Sequence, residues 1–254
     1  MLEVDAVAKT YHGVHAVRDV SFQAGPGQVV GLLGPNGSGK STTVKMLVGL
    51  LQPTRGQVRW RGVNIHDQLR DFQRLFGYVP EEPRLYSYLT AIEYLELVGG
   101  LRGLDDTTLQ RRIARYLELF GLGSEQHVPL SSFSKGMRQK VLLSASLLHD
   151  PEIVMLDEPC SGLDVASTLI LRRLVSALAQ RGVTVIYSSH VMDMVEKVCD
   201  DVLILHKSRV VAHDSVSHLR ELAHAGSLEE VFAALAVDQD VNRIGDELAT
   251  VAAS

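Results

Sequence analysis

Cysteine is almost missing from this chain. Cys160 and Cys199 stand alone and offer neither a disulfide framework nor metal-ligand spacing, which fits a reducing compartment. Long hydrophobic runs are missing too. No stretch approaches the roughly 18–20 apolar residues of a membrane span, so any action at a membrane requires a partner. There is no basic surplus: 25 Lys and Arg against 30 Asp and Glu leave a net charge of −5, which excludes a global electrostatic footprint for nucleic acid. The start, Met1-Leu2-Glu3-Val4-Asp5, is acidic where a signal peptide would be basic, and no apolar stretch follows it. Internal repeats and low-complexity segments are absent. What is present is a globular composition. At 254 residues, 46% hydrophobic, the chain is long enough to remove roughly 70–75% of its unfolded surface from water, as one large or two small domains.

The first thirty residues read as short strands, with Leu2, Val4 and Ala6 alternating, and Val14, Ala16, Val20 and Phe22 alternating with one slip. Gly25-Pro26-Gly27 is a turn. The continuous apolar run Val29–Leu33 predicts a strand buried on both faces, and a helix from about Lys40 to Leu51, ended by Pro53, follows. Further strands are expected within 56–65 and at Phe76–Val79. From Pro83 to His149 no segment is strand-like. Thr90-Ala91-Ile92-Glu93 forms a capping box, and Leu109, Ile113, Leu117 and Phe120 share one helical face that Gly121 is placed to stop. Strands return at Ile153–Leu156 and Val183–Tyr187, with a helix through Leu169, Leu171, Leu174, Val175 and Leu178 between them, and again at Val202–Leu205 and Val210–Ala212. That rhythm indicates a parallel sheet with crossover helices. The predicted class is α/β, with a mainly parallel sheet, an N-terminal antiparallel β subdomain and a helical subdomain inserted at about 83–149. Ser227-Leu228-Glu229-Glu230, a second capping box, opens a short apolar helix in the tail.

Gly34-Pro35-Asn36-Gly37-Ser38-Gly39-Lys40-Ser41 matches G-x-x-x-x-G-K-[ST] between a strand and a helix. The glycines let successive N–H groups turn inward onto phosphate oxygens, and the helix adds its positive end. Lys40 can reach the β- and γ-phosphates, Ser41 can place its hydroxyl on Mg²⁺, and Thr42 adds a phosphate contact. A glycine-rich turn with no ligand is the bland reading, and strand, Lys-Ser and helix together argue against it. The loop alone does not separate kinases, GTPases and ATPase motors. The strand Ile153–Leu156 ends in Asp157-Glu158. Beside a nucleotide, Asp157 is suited to hold Mg²⁺ and Glu158 to orient and deprotonate the attacking water; without one, the pair would be an ordinary solvated turn.

At this point the chain resembles the nucleotide-binding domain of ABC transporters, with further elements in the family's order from about residue 2 to 215, inside a domain of about 2–236 with a helical extension at 216–254. Leu130-Ser131-Ser132-Phe133-Ser134-Lys135-Gly136-Met137-Arg138-Gln139 resembles the signature loop. The resemblance implies that Ser134 and Gly136 contact the γ-phosphate held by a second copy. Lys135 and Met137 depart from the family's glycine and glutamine. Tyr11 stands where the family stacks an aromatic on adenine, and Glu81, in Tyr78-Val79-Pro80-Glu81-Glu82, where it usually has a glutamine near Mg²⁺. Ser161-Gly162-Leu163-Asp164 resembles the loop that connects the two sites of the dimer, and His190 matches the histidine that contacts the γ-phosphate.

The resemblance implies ATP and Mg²⁺ as cofactors and head-to-tail dimerisation. The roles it gives are Glu158 as base, with His190 and Lys40 stabilising phosphoryl charge. It also implies a membrane-spanning permease as partner, docked near Glu81 and residues 82–100, and a peripheral location on the cytoplasmic side of the membrane. The Glu-Glu pair, the Ser-Lys-Gly-Met-Arg-Gln signature and the tail Leu228-Glu229-Glu230-Val231-Phe232 look like the bacterial exporters of drugs, antibiotics, sodium and polysaccharides. The competing class is a soluble ABC ATPase acting on ribosomes or nucleic acid. A single cassette, no heptad run and an acidic balance argue against it, and no nucleic-acid partner is expected.

Overall fold

The computed structural model describes residues 1–236. Two sheets and nine helices make up the described part. The strands are β1 (Leu2–Tyr11), β2 (Val14–Ala24), β3 (Val29–Leu33), β4 (Arg55–Trp60), β5 (Val63–Asn64), β6 (Phe76–Val79), β7 (Ile153–Asp157), β8 (Thr184–Ser189), β9 (Asp201–His206) and β10 (Arg209–Ser215). The helices are α1 (Lys40–Leu47), α2 (Leu69–Leu75), α3 (Ala91–Leu101), α4 (Asp106–Leu119), α5 (Lys135–Leu147), α6 (Val165–Gln180), α7 (Met192–Val198), α8 (Val216–Leu222) and α9 (Leu228–Ala236).

One sheet has the order β2-β1-β4-β5 and is antiparallel throughout. The other has the order β10-β9-β3-β8-β7-β6 and is parallel except for β10. The central strands read as unbroken apolar runs because both their faces are covered. Val29, Leu33, Val154, Leu156, Val185, Tyr187, Val202 and Ile204 face helices α5, α6 and α7. Their neighbours Val30, Leu32, Ile153, Met155, Ile186, Leu203 and Leu205 face the antiparallel sheet and α1. The period of two divides each strand between two cores. A third core, with Leu95, Leu109, Ile113, Leu117, Leu122, Leu130 and Phe133, lies within the helical stretch that runs between β6 and β7.

The two capping boxes differ. At Thr90 the box is complete: the Glu93 N–H donates to Thr90 Oγ1 and the Thr90 N–H to Glu93 Oε2. At Ser227 it is half formed. The Glu230 N–H donates to Ser227 Oγ, but the Glu230 carboxylate accepts from Gly226 instead.

Several expectations need correction. The first strands are long, 10 and 11 residues, and not short. Left-handed residues at Ala6 (φ 47°) and Asp19 (φ 51°) interrupt the ladder, so Val7 and Val17 are buried while Ala6 and Val14 are exposed. α1 ends at Leu47, stopped by Gly49 at φ 75°, well before Pro53. α2 was not expected at all; it buries only Phe72. The expected extension at 216–254 is described as α8 and α9, and its residues 237–254 lie outside the described part.

Candidate functional site

Parallel register decides which residues meet. Leu33 lies opposite Ser189, Asp157 opposite Ser188, and Leu156 opposite Val79. The chain therefore leaves β3 at Gly34, β8 at His190, β7 at Glu158 and β6 at Pro80-Glu81 along one edge of the sheet. Ligands of open α/β sheets bind in the crevice outside the carboxyl ends of the strands.

Residues 34–39 lead from β3 into α1, whose first turn carries no acidic residue. Its first N–H groups have no intrahelical partner, so the helix offers donors and a positive end to an anion. Gly39 has φ 105°, and a Cβ there would sit 2.6 Å from the Ala16 carbonyl oxygen of β2, so no other residue fits. Lys40 is buried, and its Nζ donates to the Gly34 carbonyl at 2.5 Å and the Pro35 carbonyl at 3.2 Å. Ser38 is buried as well, and its hydroxyl has no protein partner among the described residues. An unsatisfied hydroxyl of this kind carries a desolvation cost that a bound oxyanion would relieve. Pro35, Asn36, Gly37 and Ser41 are exposed, and Thr42 is half-buried.

Opposite the loop stand three carboxylates. Asp157 is buried, and burial pushes its carboxyl up to about 6, with the charges of Glu81 and Glu158 acting in the same direction. Burial also lowers the Lys40 ammonium, offset by Glu158, Asp157 and Glu81. Three acids that act on one buried lysine suit an additional cation. Among the described residues no group of three or more His, Cys, Asp or Glu would hold a metal alone. Mg²⁺ usually takes one or two protein ligands and completes its shell with phosphates and water. Asp157 and the Ser41 hydroxyl fit that donor set, and Glu81, which is exposed, is the further acid whose charge reaches Asp157.

Glu158 is 7% exposed and sits at φ 48°. Its N–H donates to the Ser188 carbonyl. Both carboxylate oxygens are engaged: Ser189 Oγ donates to Oε2 at 3.1 Å, and His190 Nδ1 lies 2.7 Å from Oε1. His190 itself is largely exposed. Sequence reasoning named Ser38, Glu158 and His190 but did not single out Ser189. Ser189 is a short hydroxyl beside stronger signals, and its contact with Glu158 exists only in the folded sheet.

The remaining predicted residues lie around this edge. Tyr11 ends β1, 43% exposed, with the Lys9 ammonium 5.5 Å from its ring centroid. Its hairpin leads into β2, which touches Gly39 at Ala16. Ser134 is the N-cap of α5 and accepts from the Met137 N–H. Gly136 packs so closely on the following loop that a Cβ would lie 2.4 Å from the Gly162 carbonyl oxygen. Lys135 Nζ donates to Ser161 Oγ at 2.5 Å. Met137 turns inward and packs on the helical core. Among the described residues no hydrogen bond links Ser134 or Gly136 to residues 34–41 of the same chain.

A phosphate loop, its buried lysine and paired acids at the carboxyl edge of a parallel sheet define a P-loop nucleotide-binding protein. Comparison narrows the class. A family profile described as ABC transporter matches residues 17–161. The ABC transporter ATP-binding protein NatA of Bacillus subtilis is 36% identical over 220 residues, covering 86% of this chain and 89% of that protein. The linearmycin resistance ATP-binding protein LnrL of the same organism is 36% identical over 212 residues, 84% of this chain and 68% of that one. A solved ATP-binding subunit of an ABC transporter superposes with a TM-score of 0.87 at 34% identity, over 92% of this chain and 98% of that one. The chain belongs to the ABC transporter family, as an ATP-binding subunit. No helix among the described residues is long and apolar enough to cross a membrane.

Proposed function

We propose that this subunit hydrolyses ATP to ADP and phosphate and that the reaction powers export through a separate membrane-spanning partner. The observation that carries the reading is the register that sets Lys40, Asp157, Glu158 and His190 along one edge. In this reading the backbone donors of residues 34–39, with Lys40, Ser41 and Thr42, hold the phosphates, and Tyr11 stacks on adenine. Asp157 and Ser41, with Glu81 nearby, would hold Mg²⁺, which when bound neutralises phosphate charge. Glu158 orients the attacking water and takes its proton. Lys40 stabilises the charge that develops on the γ-phosphoryl group, and His190 does so after leaving Glu158 for the phosphate.

Lys135 and Gly136 meet the loop at 161–164, and among the described residues no hydrogen bond joins Ser134 or Gly136 to their own phosphate loop. This supports a head-to-tail dimer in which each copy completes the other's site. ATP shared across that interface would close the pair, and hydrolysis would remove the shared contacts. A groove of about 420 Å³ lined by Val48, Leu50, Arg70, Arg74, Phe76 and Leu101 is a concave surface for a permease segment. It lies along α2, β6 and the end of α3, beside the 82–100 stretch indicated by the sequence. The partner would bring the subunit to the cytoplasmic side of the membrane, and likeness to a linearmycin-resistance protein favours export.

The test is Glu158→Gln. ATP affinity should stay within about twofold while turnover falls roughly 10²–10⁴-fold, the usual contribution of a positioned base. Turnover near that of the unaltered protein would sink the assignment.

A further inference from the structure

Ser189 is buried, 1% exposed, at the last position of β8, and its hydroxyl has one proton to give. The Val191 N–H donates to Ser189 Oγ at 3.0 Å, which occupies an acceptor position and fixes the hydroxyl from one side. The proton is directed to Glu158 Oε2 at 3.1 Å. On the other oxygen the contact is different in kind. His190, 2.7 Å from Oε1, belongs to a side chain 64% exposed. One arm of the clamp on Glu158 is buried and locked by backbone, and the other is exposed and able to swing away.

We propose that Ser189 is a positioning residue for hydrolysis: its hydroxyl holds Oε2 of Glu158 throughout the cycle, so that when His190 turns to the phosphate, Oε1 is left vacant and aimed at the attacking water. The proposal rests on the reading of Glu158 as the water-activating base. Glu158 has φ 48°, a conformation that costs an ordinary residue energy and persists only where neighbours hold it, and its side chain needs an anchor of its own to keep one orientation. Ser189 supplies that anchor from the neighbouring strand through the register that pairs Ser188 with Asp157. In this role Ser189 acts through Glu158.

The experiment is a double-mutant cycle on the full chain with Mg²⁺ and ATP, read by single-turnover hydrolysis and by steady-state kcat and KM. Ser189→Ala should lower kcat about 10–100-fold, the size of one hydrogen bond to a charged group, with KM and ATP affinity within about twofold. In a Glu158→Gln background the same substitution should cost little further, because the two residues act as a unit. Ser189→Cys keeps the size with a weaker donor and should fall between the two; it carries the cycle if the alanine variant unfolds. An unchanged kcat in Ser189→Ala, or an equal loss in both backgrounds, overturns the proposal. If Glu158→Gln itself hydrolyses like the unaltered protein, the base reading fails and takes this proposal with it. Slow Glu158→Gln beside normal Ser189→Ala removes the proposal alone.

Discussion

His149 gives the most quantitative prediction, and it concerns the scaffold beneath the site. The imidazole packs where α5 ends and β6 begins, with Nε2 3.2 Å from the Phe76 carbonyl oxygen and Nδ1 buried without a partner among the described residues. Burial pushes its pKa down to about 4; the Arg102 and Arg112 guanidiniums add to the effect, while the Phe76 carbonyl and Asp150 oppose it. The folded-state pKa lies below the unfolded one. Stability is therefore whole above the unfolded value near 6.5 and is lost as pH falls from there toward about 4, because the unfolded chain takes up the proton first. Integrating that difference gives a loss of about 2 kcal/mol at pH 5 and about 3 kcal/mol at pH 4. Near 2–4 °C per kcal/mol for a chain of this size, the pH 5 loss amounts to about 4–8 °C in Tm. His149→Gln retains a donor for Phe76 and removes the titration. The Tm of the unaltered protein relative to the variant should therefore fall by about 4–8 °C between pH 7 and pH 5, measured by calorimetry. Two Tm–pH curves that run parallel over that range would refute the reasoning.

Two further substitutions probe the two halves of the site. Lys40→Ala removes the ammonium that spans the Gly34 and Pro35 carbonyls; ATP affinity measured by calorimetric titration should fall at least about 10–100-fold, and an unchanged affinity would argue against the phosphate loop. Gly136→Ala places a Cβ 2.4 Å from the Gly162 carbonyl oxygen and must push the two loops apart. Turnover should drop on the order of 10²-fold, as for a misplaced reacting geometry, with ATP affinity of the single chain kept, and normal turnover would count against the half-site role of this loop.

The phosphate loop and the acids after β7 were legible because each is a short continuous pattern with its own context. Tyr11, Glu81, Ser134 and His190 were reached only through family resemblance, since a single exposed tyrosine or histidine carries no signal of its own. The N-terminal strands were mistaken for shorter ones because bulges at Ala6 and Asp19 reverse the alternation that pattern reading depends on. α2 escaped notice because seven residues with one buried side chain hold too little periodicity. Ser189 was illegible for another reason. Its partner lies 31 positions away, just past the end of the adjacent strand, and only the sheet register joins them.

Lys40 has a consequence beyond charge. Its ammonium ties the carbonyls of Gly34 and Pro35 together. The loop thus carries its own internal template and does not wait for a ligand to mould it. Contacts of this kind take up part of the ordering entropy of those residues on folding. Under the proposed function, capture of a triphosphate would be a handover, in which one set of oxygens replaces another around Lys40.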